Sequence, residues 1–576
     1  MNLPPPPLLR PLFAKLASAR PQASPDTLLL LVCTWWVVSG NGAFWRALLA
    51  GRPLTDPASW GLVMAIGTTL IALHFCFIAP LAHRRTVKPL LSVLILVAAF
   101  AGYYMERFTL YLDPSMLRNV LRTDLNEARE LLAWTMLPQL LLQAGPPLAL
   151  LWWLRPAPLS LRRDGQGSGS GIGMAIAITL RHLAPRLGIW LLVAALGIGA
   201  LWTVFQDAAA TMRNHKEMRY LITPGNAVWS LATVLGQDTQ QLKRPQTPIG
   251  IDALRGPRAA AVDRKPMRVV LVIGETARAA NWGLNGYARQ TTPRLAAMPE
   301  LLAFTQVSSC GTNTEVSLPC MFSPGGRRRY DEALIRRSQS LLHVLQRTGV
   351  QVLWRDNQSG CKGVCEGLRQ DTVSAQTSPK FCTSERCLDE ALLEGADGAL
   401  RRLPGGDQFL VLHQLGNHGP AYDRRYPDSF RRFTPVCDTA DLRLCSREQI
   451  VNAYDNALLY TDHFLAEAIS WLKNSGSAYD TALVYVSDHG ESLGEQGLYL
   501  HGLPYAIAPE VQTRVPMVIW LSDNMSKSQR IDLACLQRRA RQSASHDHLF
   551  HSLMGLLDVR SALYEPALDL FAGCRT

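Results

Sequence analysis

Residues 483–494 read Leu-Val-Tyr-Val-Ser-Asp-His-Gly-Glu-Ser-Leu-Gly. Four apolar residues in a row, two of them β-branched, suit a strand buried on both faces. The polar Ser487-Asp-His-Gly-Glu491 that follows is what a strand leaves at its carboxyl end when that end carries chemistry. The same grammar recurs in the second half of the chain. Arg268-Val-Val-Leu-Val-Ile273 runs into Gly274-Glu-Thr276, and Val350-Gln-Val-Leu-Trp354 into Arg355-Asp-Asn357. Phe409-Leu-Val-Leu-His413 leads to Gly416-Asn-His-Gly419, and Pro516-Met-Val-Ile-Trp-Leu521 is a fifth run. Helix-like segments such as 453–473 lie between them. This alternation predicts a doubly wound α/β sheet, in which ligands bind beyond the carboxyl ends of the strands. Glu275, Arg355, Asp356, His418, Asp488 and His489 gather there. Singly, each reads as a cap, a turn or an ion pair. Together, carboxylates and imidazoles at converging strand ends suit a dication such as zinc.

Outward from this domain, the composition changes. The 576-residue chain is 48% hydrophobic and only 18% charged, against about 25% in average soluble proteins, and the apolar excess is concentrated before residue 206. Stretches 27–45, 58–82, 89–105, 131–154 and 187–206 contain no Asp, Glu, Lys or Arg, and each approaches or exceeds the roughly 17–25 residues that cross a bilayer. The expectation is a five-span membrane domain over 1–206, a bridge over 207–265 and an α/β domain over 266–576. The net charge of +12 needs no nucleic-acid partner. Arg10, Lys15 and Arg20 precede the first stretch, Arg84, Arg85 and Lys88 follow the second, and Arg155, Arg162, Arg163, Arg181 and Arg186 follow the fourth. By the positive-inside rule these loops and the N-terminus are cytoplasmic, and five crossings place the α/β domain on the far side. Residues 164–173, rich in Gly and Ser, read as a flexible linker.

The cysteines point the same way. Ten of twelve fall at or after Cys310, eight as close pairs: Cys310/Cys320, Cys361/Cys365, Cys382/Cys387 and Cys437/Cys445. Their spacings do not repeat a zinc knuckle, so disulfides of an oxidising compartment are expected, with Cys535 and Cys574 available for a fifth. Residues 545–551, Ser-His-Asp-His-Leu-Phe-His, look metal-rich but fit a structural amphipathic helix.

A nucleophile is sought among Ser308-Ser-Cys-Gly-Thr-Asn-Thr-Glu-Val-Ser-Leu-Pro-Cys320. A hydroxyl at a helix N-terminus, with backbone N–H groups ready to hold an anion and a metal lowering its pKa, would serve. Spacing alone leaves Thr312, Thr314 and Ser317 open. Before the fourth apolar stretch, Asn119, Thr123 and Glu127 stand at i, i+4 and i+8, one face of a helix. On spacing alone that face is a solvated one.

Several ordered motifs carry a resemblance: Gly274-Glu-Thr-Ala-Arg278, Asn285-Gly-Tyr287, Cys310–Ser323, Trp354-Arg-Asp-Asn357, Asn417-His-Gly-Pro420, 487–494, Tyr499-Leu-His-Gly-Leu-Pro-Tyr-Ala506 and, in the bridge, Asn214-His-Lys-Glu-Met-Arg-Tyr-Leu221. The chain resembles the lipid A phosphoethanolamine transferases, a family that includes the mobile colistin-resistance enzymes. The resemblance implies an alkaline-phosphatase/sulfatase-like periplasmic domain on an inner-membrane anchor. It implies Thr314 as nucleophile, with Thr314, Glu275, Asp488 and His489 as a primary Zn2+ site. His418 and His501 would lie at the donor phosphate, where a second zinc is an option, with His418 also catalytic. His413 and Lys362 would flank the phosphoethanolamine group, and Asn119, Thr123 and Glu127 would hold the donor head group. Phosphatidylethanolamine is the implied donor and a lipid A phosphate the implied acceptor, giving polymyxin resistance. A monomer is expected. Related family members modify core sugars or periplasmic glucans. A sulfatase-type hydrolase is disfavoured, because Cys320-Met-Phe-Ser-Pro324 puts proline at the wrong offset from the cysteine. Two departures stand out: Glu315 where the family usually has Ala, expected to bear on acceptor preference, and a longer 164–173 loop.

Overall fold

The computed structural model describes residues 20–123, 128–129, 131–132, 134–157, 172–242, 245–261, 263–358, 360–384 and 386–576. Glu127 and most of the 164–173 linker lie outside them. The chain divides into two compact units, one of residues 1–113 with 134–231, the other of 114–133 with 232–576.

The first unit is helical. α1 (Pro25–Trp35) is capped by the Ser24 hydroxyl, which accepts from Thr27 N at 3.0 Å. A π turn over Trp36–Gly40 leads to α2 (Gly42–Leu48), bent by 60° from α1. Asn41 occupies the break, donating its amide to Trp36 O at 2.8 Å, so backbone groups freed by the break are satisfied locally. α3 (Pro57–Ile78) and α4 (Val87–Phe108) follow, and α3 starts on an Asp56 cap with proline in its first turn. After α5 (Pro114–Arg122), which belongs to the second unit, come α6 (Leu137–Trp153) and α7 (Ile172–Thr203). Gly197 of α7 lets its backbone close on Ala72 of α3, where Thr69 Oγ1 donates to Gly197 O at 3.1 Å. Close backbone approach at a small residue is a usual packing device in lipid. Leu191, Leu192, Leu196, Ile198 and Trp202 face outward, as a lipid-facing surface requires.

By length and composition, three helical segments among the described residues can cross a membrane: Pro57–Ile78, Val87–Phe108 and Ala184–Thr203. The bent α1–α2 pair makes a fourth if counted as one span. The sequence led to an expectation of five. The difference lies in α1–α2, which is broken at Asn41, and in 131–154, where the α-helix runs only 17 residues and contains Pro146 and Pro147. Pro138 fixes its start, shortening the stretch read from hydropathy.

The second unit is built on an eight-stranded sheet. In chain order its strands are β1 (Met267–Gly274), β2 (Leu302–Ser308), β3 (Gln351–Asp356), β4 (Gln370–Thr372), β5 (Gln408–His413), β6 (Asp480–Ser487), β7 (Arg514–Leu521) and β8 (Ala544–Ser545). Their spatial order is β8-β2-β7-β6-β1-β5-β3-β4. β6, β1, β5, β3 and β4 are mutually parallel, while β7 runs antiparallel to both β6 and β2. All five apolar runs became strands. The antiparallel course of β7 explains why only the other four end in functional residues: its carboxyl end lies at the opposite edge. Every residue of β1, β5 and β6 is buried. Sheet and helices enclose a core that includes Phe304, Phe322, Trp354, Phe409 and Phe550. α9 (Thr314–Met321) and α10 (Glu332–Arg337) lie between β2 and β3, and α11 (Arg447–Asn474) between β5 and β6. α8 (Gly225–Leu242) precedes them all. The capping box of α11, Ser446 with Gln449, fixes its start.

Five disulfides join Cys310–Cys320, Cys361–Cys365, Cys382–Cys387, Cys437–Cys445 and Cys535–Cys574. Cys33 and Cys76 are free thiols in the helical unit. The last bridge closes the longest loop, 39 residues apart, and loop-closure entropy assigns it about 4 kcal/mol, the largest of the five. Cys535→Ser with Cys574→Ser should therefore destabilise the domain by roughly that amount in denaturant unfolding. Peptide mapping without reduction should recover all five links. Free thiols at these ten positions would contradict the pairing.

Candidate active site at the strand ends

Register brings the site together. Gly274 of β1 pairs with Ser487 of β6, and Ile273 with His413 of β5. Glu275, Asp488 and Gln414 therefore leave neighbouring strands at the same edge. Asp488 N donates to Gly274 O at 2.9 Å, and Asp488 Oδ1 accepts from Thr276 N at 3.1 Å and from His489 N at 2.7 Å. Thr276, with φ 61°, turns the chain sharply and donates its hydroxyl to Glu275 Oε1 at 2.6 Å. Gly416 faces this turn with φ 52°, where a Cβ would sit 2.8 Å from Glu275 O. Only glycine satisfies both constraints.

α9 presents the hydroxyl. Asn313 caps it, accepting from Val316 N at 3.0 Å, which makes Thr314 the first helical residue. Thr314 Oγ1 donates to Glu275 Oε2 at 3.0 Å and stands 3.4 Å from His489 Nε2. The other open hydroxyls are engaged elsewhere. Thr312 donates to Leu503 O at 2.6 Å and Ser317 to Asp488 O at 2.5 Å. Of the three, Thr314 is the one beside the carboxylate–imidazole cluster.

His489 Nδ1 lies 2.9 Å from Gly490 O, which fixes the tautomer and leaves Nε2 for the cluster. That atom is 3.2 Å from Glu275 Oε1 and 3.3 Å from Asp488 Oδ2. All three side chains are fully buried. Burial acts to raise the Glu275 carboxyl, but the hydrogen bond and charge of His489, with His418 and His501, hold it well below its ordinary range. Burial and the neighbouring Glu275 charge push Asp488 up to about 7. Burial opposes the His489 proton, yet Asp488 and Glu275 raise it to about 10. Two buried carboxylates demand a cation, and on its own the chain supplies a proton on His489. Asp488 Oδ2 is buried with no hydrogen-bond partner. Two carboxylates, one imidazole and a hydroxyl within one small space match the oxygen and nitrogen donors of zinc, and a dication would displace the imidazole proton. The residues present fit such an ion.

Glu275, His418 and His501 form a second group whose donor atoms lie within 4.8 Å of one another. The His501 ring is 4.3 Å from that of His489 and 5.7 Å from that of His418. Burial and the His489 charge lower the His501 pKa, keeping the ring neutral and able to ligate.

His413, at the end of β5, is fully buried with Nδ1 3.2 Å from Asp356 Oδ2, while its Nε2 has no hydrogen-bond partner. Lys362 sits half-buried with φ 50° in the loop closed by Cys361–Cys365. Asn119 and Thr123 lie half-buried at α5, where the Thr123 hydroxyl donates to Asn119 O at 2.8 Å, and α5 packs on α9. His546 ties distant segments, its Nδ1 accepting from Cys310 N at 3.0 Å and its Nε2 reaching Ser487 O at 2.9 Å, whereas His548 Nδ1 accepts from Ser545 N and His551 Nδ1 from Glu565 N, both at 3.1 Å.

Sequence reasoning missed Gln358 and Glu491. Gln358 Nε2 donates to Glu275 Oε2 and to Gln414 O, both at 2.8 Å, steadying the carboxylate. Glu491 is fully buried, with Oε2 3.4 Å from His501 Nδ1. Its place in Ser487-Asp-His-Gly-Glu491 was the available signal.

Residues 268–559 match the sulfatase family, and 70–180 with 174–239 match the family described as phosphoethanolamine transferase EptA/EptB. The chain is 38% identical to phosphoethanolamine transferase EptA of Escherichia coli strain K12 over 562 residues, covering 96% of this chain and 98% of that protein. It is 35% identical to phosphatidylethanolamine transferase Mcr-1 of Escherichia coli, covering 87% and 90%. The structure of the integral membrane lipooligosaccharide phosphoethanolamine transferase A of Neisseria meningitidis superposes with a TM-score of 0.86 at 34% identity, covering 96% of this chain and all of that one. Near-complete coverage of both units by these relatives leaves one conclusion: the chain belongs to the phosphoethanolamine transferase family, with a helical membrane part and a sulfatase-like domain.

Proposed function

We propose that this protein transfers phosphoethanolamine from phosphatidylethanolamine to a phosphate of lipid A through a phosphothreonine intermediate on Thr314. The observation that carries the reading is the Thr314 hydroxyl at the first position of α9, 3.0 Å from Glu275 and 3.4 Å from His489. In the first half-reaction Thr314 Oγ attacks the donor phosphorus, the phosphorus–oxygen bond to diacylglycerol breaks, and the threonine proton is passed through the acid–base groups of the site to the diacylglycerol oxygen. In the second, an oxygen of the acceptor phosphate attacks the same phosphorus and the bond to Thr314 breaks, restoring the hydroxyl. Bound by Glu275, Asp488, His489 and Thr314, zinc would supply the charge that lowers the hydroxyl pKa and offsets the phosphate oxygens. Glu275 orients the hydroxyl, and the backbone N–H groups at the start of α9 hold phosphate oxygens. His418, in the adjoining histidine group with His501, is the candidate to protonate the departing diacylglycerol oxygen. A second zinc at Glu275, His418 and His501 is compatible with that group. His413 and Lys362 are assigned to the phosphoethanolamine group, and Asn119, Thr123 and Glu127 to the donor head group.

We assign 1–206 to an inner-membrane anchor, 207–265 to a bridge and 266–576 to a periplasmic catalytic domain acting as a monomer. Five disulfides support an oxidising compartment. The ethanolamine amine reduces the negative charge of the outer surface, weakening attraction of cationic peptides such as polymyxin. Mass spectrometry of lipid A from cells with and without the gene should show phosphoethanolamine added to a lipid A phosphate, with polymyxin tolerance rising in parallel. Unmodified lipid A beside modified core sugar or glucan would move the acceptor.

A further inference from the structure

The residue after Thr314 closes a ring of charges. Glu315 is fully buried, and its Oε1 accepts from Arg122 Nη1 at 2.8 Å and Arg336 Nη1 at 2.9 Å. Arg122 also reaches Asp238 Oδ2 at 3.3 Å, and Asp238 Oδ1 lies 3.4 Å from Arg118 Nε. Arg118, itself fully buried, donates to Glu332 Oε1 at 2.6 Å, which accepts from Arg336 Nε at 2.9 Å. Each of three carboxylates thus bridges two arginines, and each arginine two carboxylates, in a closed circuit. The circuit ties α5 to α8, α9 and α10. Arg336 Nη2 also donates to Glu315 O at 3.0 Å, gripping the α9 backbone within one residue of the nucleophile. A separate contact seats the other end of α5. Gly502, with φ 93° and next to His501, has its Cβ position filled by the Met116 methyl.

Arg118 and Arg122 flank Asn119 on α5, and Thr123 follows directly. The face assigned to the donor head group is therefore fixed to the helix carrying Thr314 by a buried carboxylate on that same helix. We infer that Glu315 is a positioning residue which, through Arg122, sets Thr314 against the α5 face that holds the donor. Its buried carboxylate acts through these arginines, so it bears on donor placement instead of contacting an acceptor. The inference rests on the phosphothreonine reading above and adds what aligns the two reactants. A ring of fixed charges suits this task, since moving one member strains pairs on both sides, and a misplacement near 1 Å costs about 100-fold in rate.

The test is the single-turnover rate at which phosphatidylethanolamine in detergent micelles labels Thr314 in the full-length zinc-loaded enzyme. Glu315→Gln keeps the shape and removes the charge, and Arg122→Gln removes its partner. Each should slow labelling by about 10–100-fold, with zinc content and melting temperature close to wild type. The double variant should be no slower than the slower single one, because one linkage is lost in all three. Arg122→Lys, which keeps the charge, should recover part of the rate. Labelling at the wild-type rate in the variants, even with lowered melting temperature, would make the ring a structural brace only and overturn the inference. Losses that multiply in the double variant would also overturn it. A wild type that is never labelled would instead remove the phosphothreonine reading itself, a result distinct from labelled wild type with unaffected variants.

Discussion

Thr314→Ala should abolish phosphoethanolamine transfer while the protein still folds and still binds zinc. Alanine removes the hydroxyl and a methyl group and leaves the helix start intact, because the Asn313 cap contacts Val316 N, not the Thr314 side chain. Glu275, Asp488 and His489 remain as three donors on strand ends that do not depend on α9. Loss of a nucleophile in a covalent mechanism commonly costs on the order of 10⁴–10⁶ in turnover. Neighbouring hydroxyls are poorly placed to substitute, since Thr312 and Ser317 donate to the Leu503 and Asp488 carbonyls. Steady-state transfer and metal content on the same purified sample check this. An active variant would move the nucleophile elsewhere.

Glu275→Ala should lose both zinc and activity. Glu275 belongs to both candidate metal groups and accepts the Thr314 hydroxyl, so one substitution removes a ligand from each and frees the nucleophile. It also leaves Asp488 and His489 as a simple pair, so the His489 proton loses one of the two carboxylates that hold it. Metal analysis after dialysis should show depletion, with turnover reduced at least as far as in Thr314→Ala. Full zinc occupancy in an inactive variant would place Glu275 outside the metal site and leave it only as the partner of the hydroxyl.

The strands that build the site were legible because their sequence periodicity is absent: β1, β5 and β6 are buried on both faces and so are continuously apolar. β2 was not legible, since Thr305 and Gln306 are exposed within it and break the run. β4 is polar and β8 has two residues, so their pairing to an edge is a tertiary outcome. The metal-type cluster followed from strand ends, but spacing left Thr312, Thr314 and Ser317 open, because which hydroxyl faces that cluster depends on the phase that the Asn313 cap gives α9. Hydropathy sees apolar content but not where helical geometry stops, which Asn41 sets in the first apolar stretch and the prolines set in α6. Only the Glu332–Arg336 pair of the charge ring, at i and i+4 on α10, follows a spacing rule. The ring's members come from four helices, and no spacing rule relates Arg122 to Glu315 or Asp238.

The central claim is that Thr314 carries the group in transit. Wild-type protein incubated with phosphatidylethanolamine and no acceptor, then digested and analysed by mass spectrometry, tests it most directly. One phosphoethanolamine should be found on the peptide containing Thr314, and it should disappear when lipid A is added. Steady transfer to lipid A with no adduct on that peptide at any time point would contradict the account.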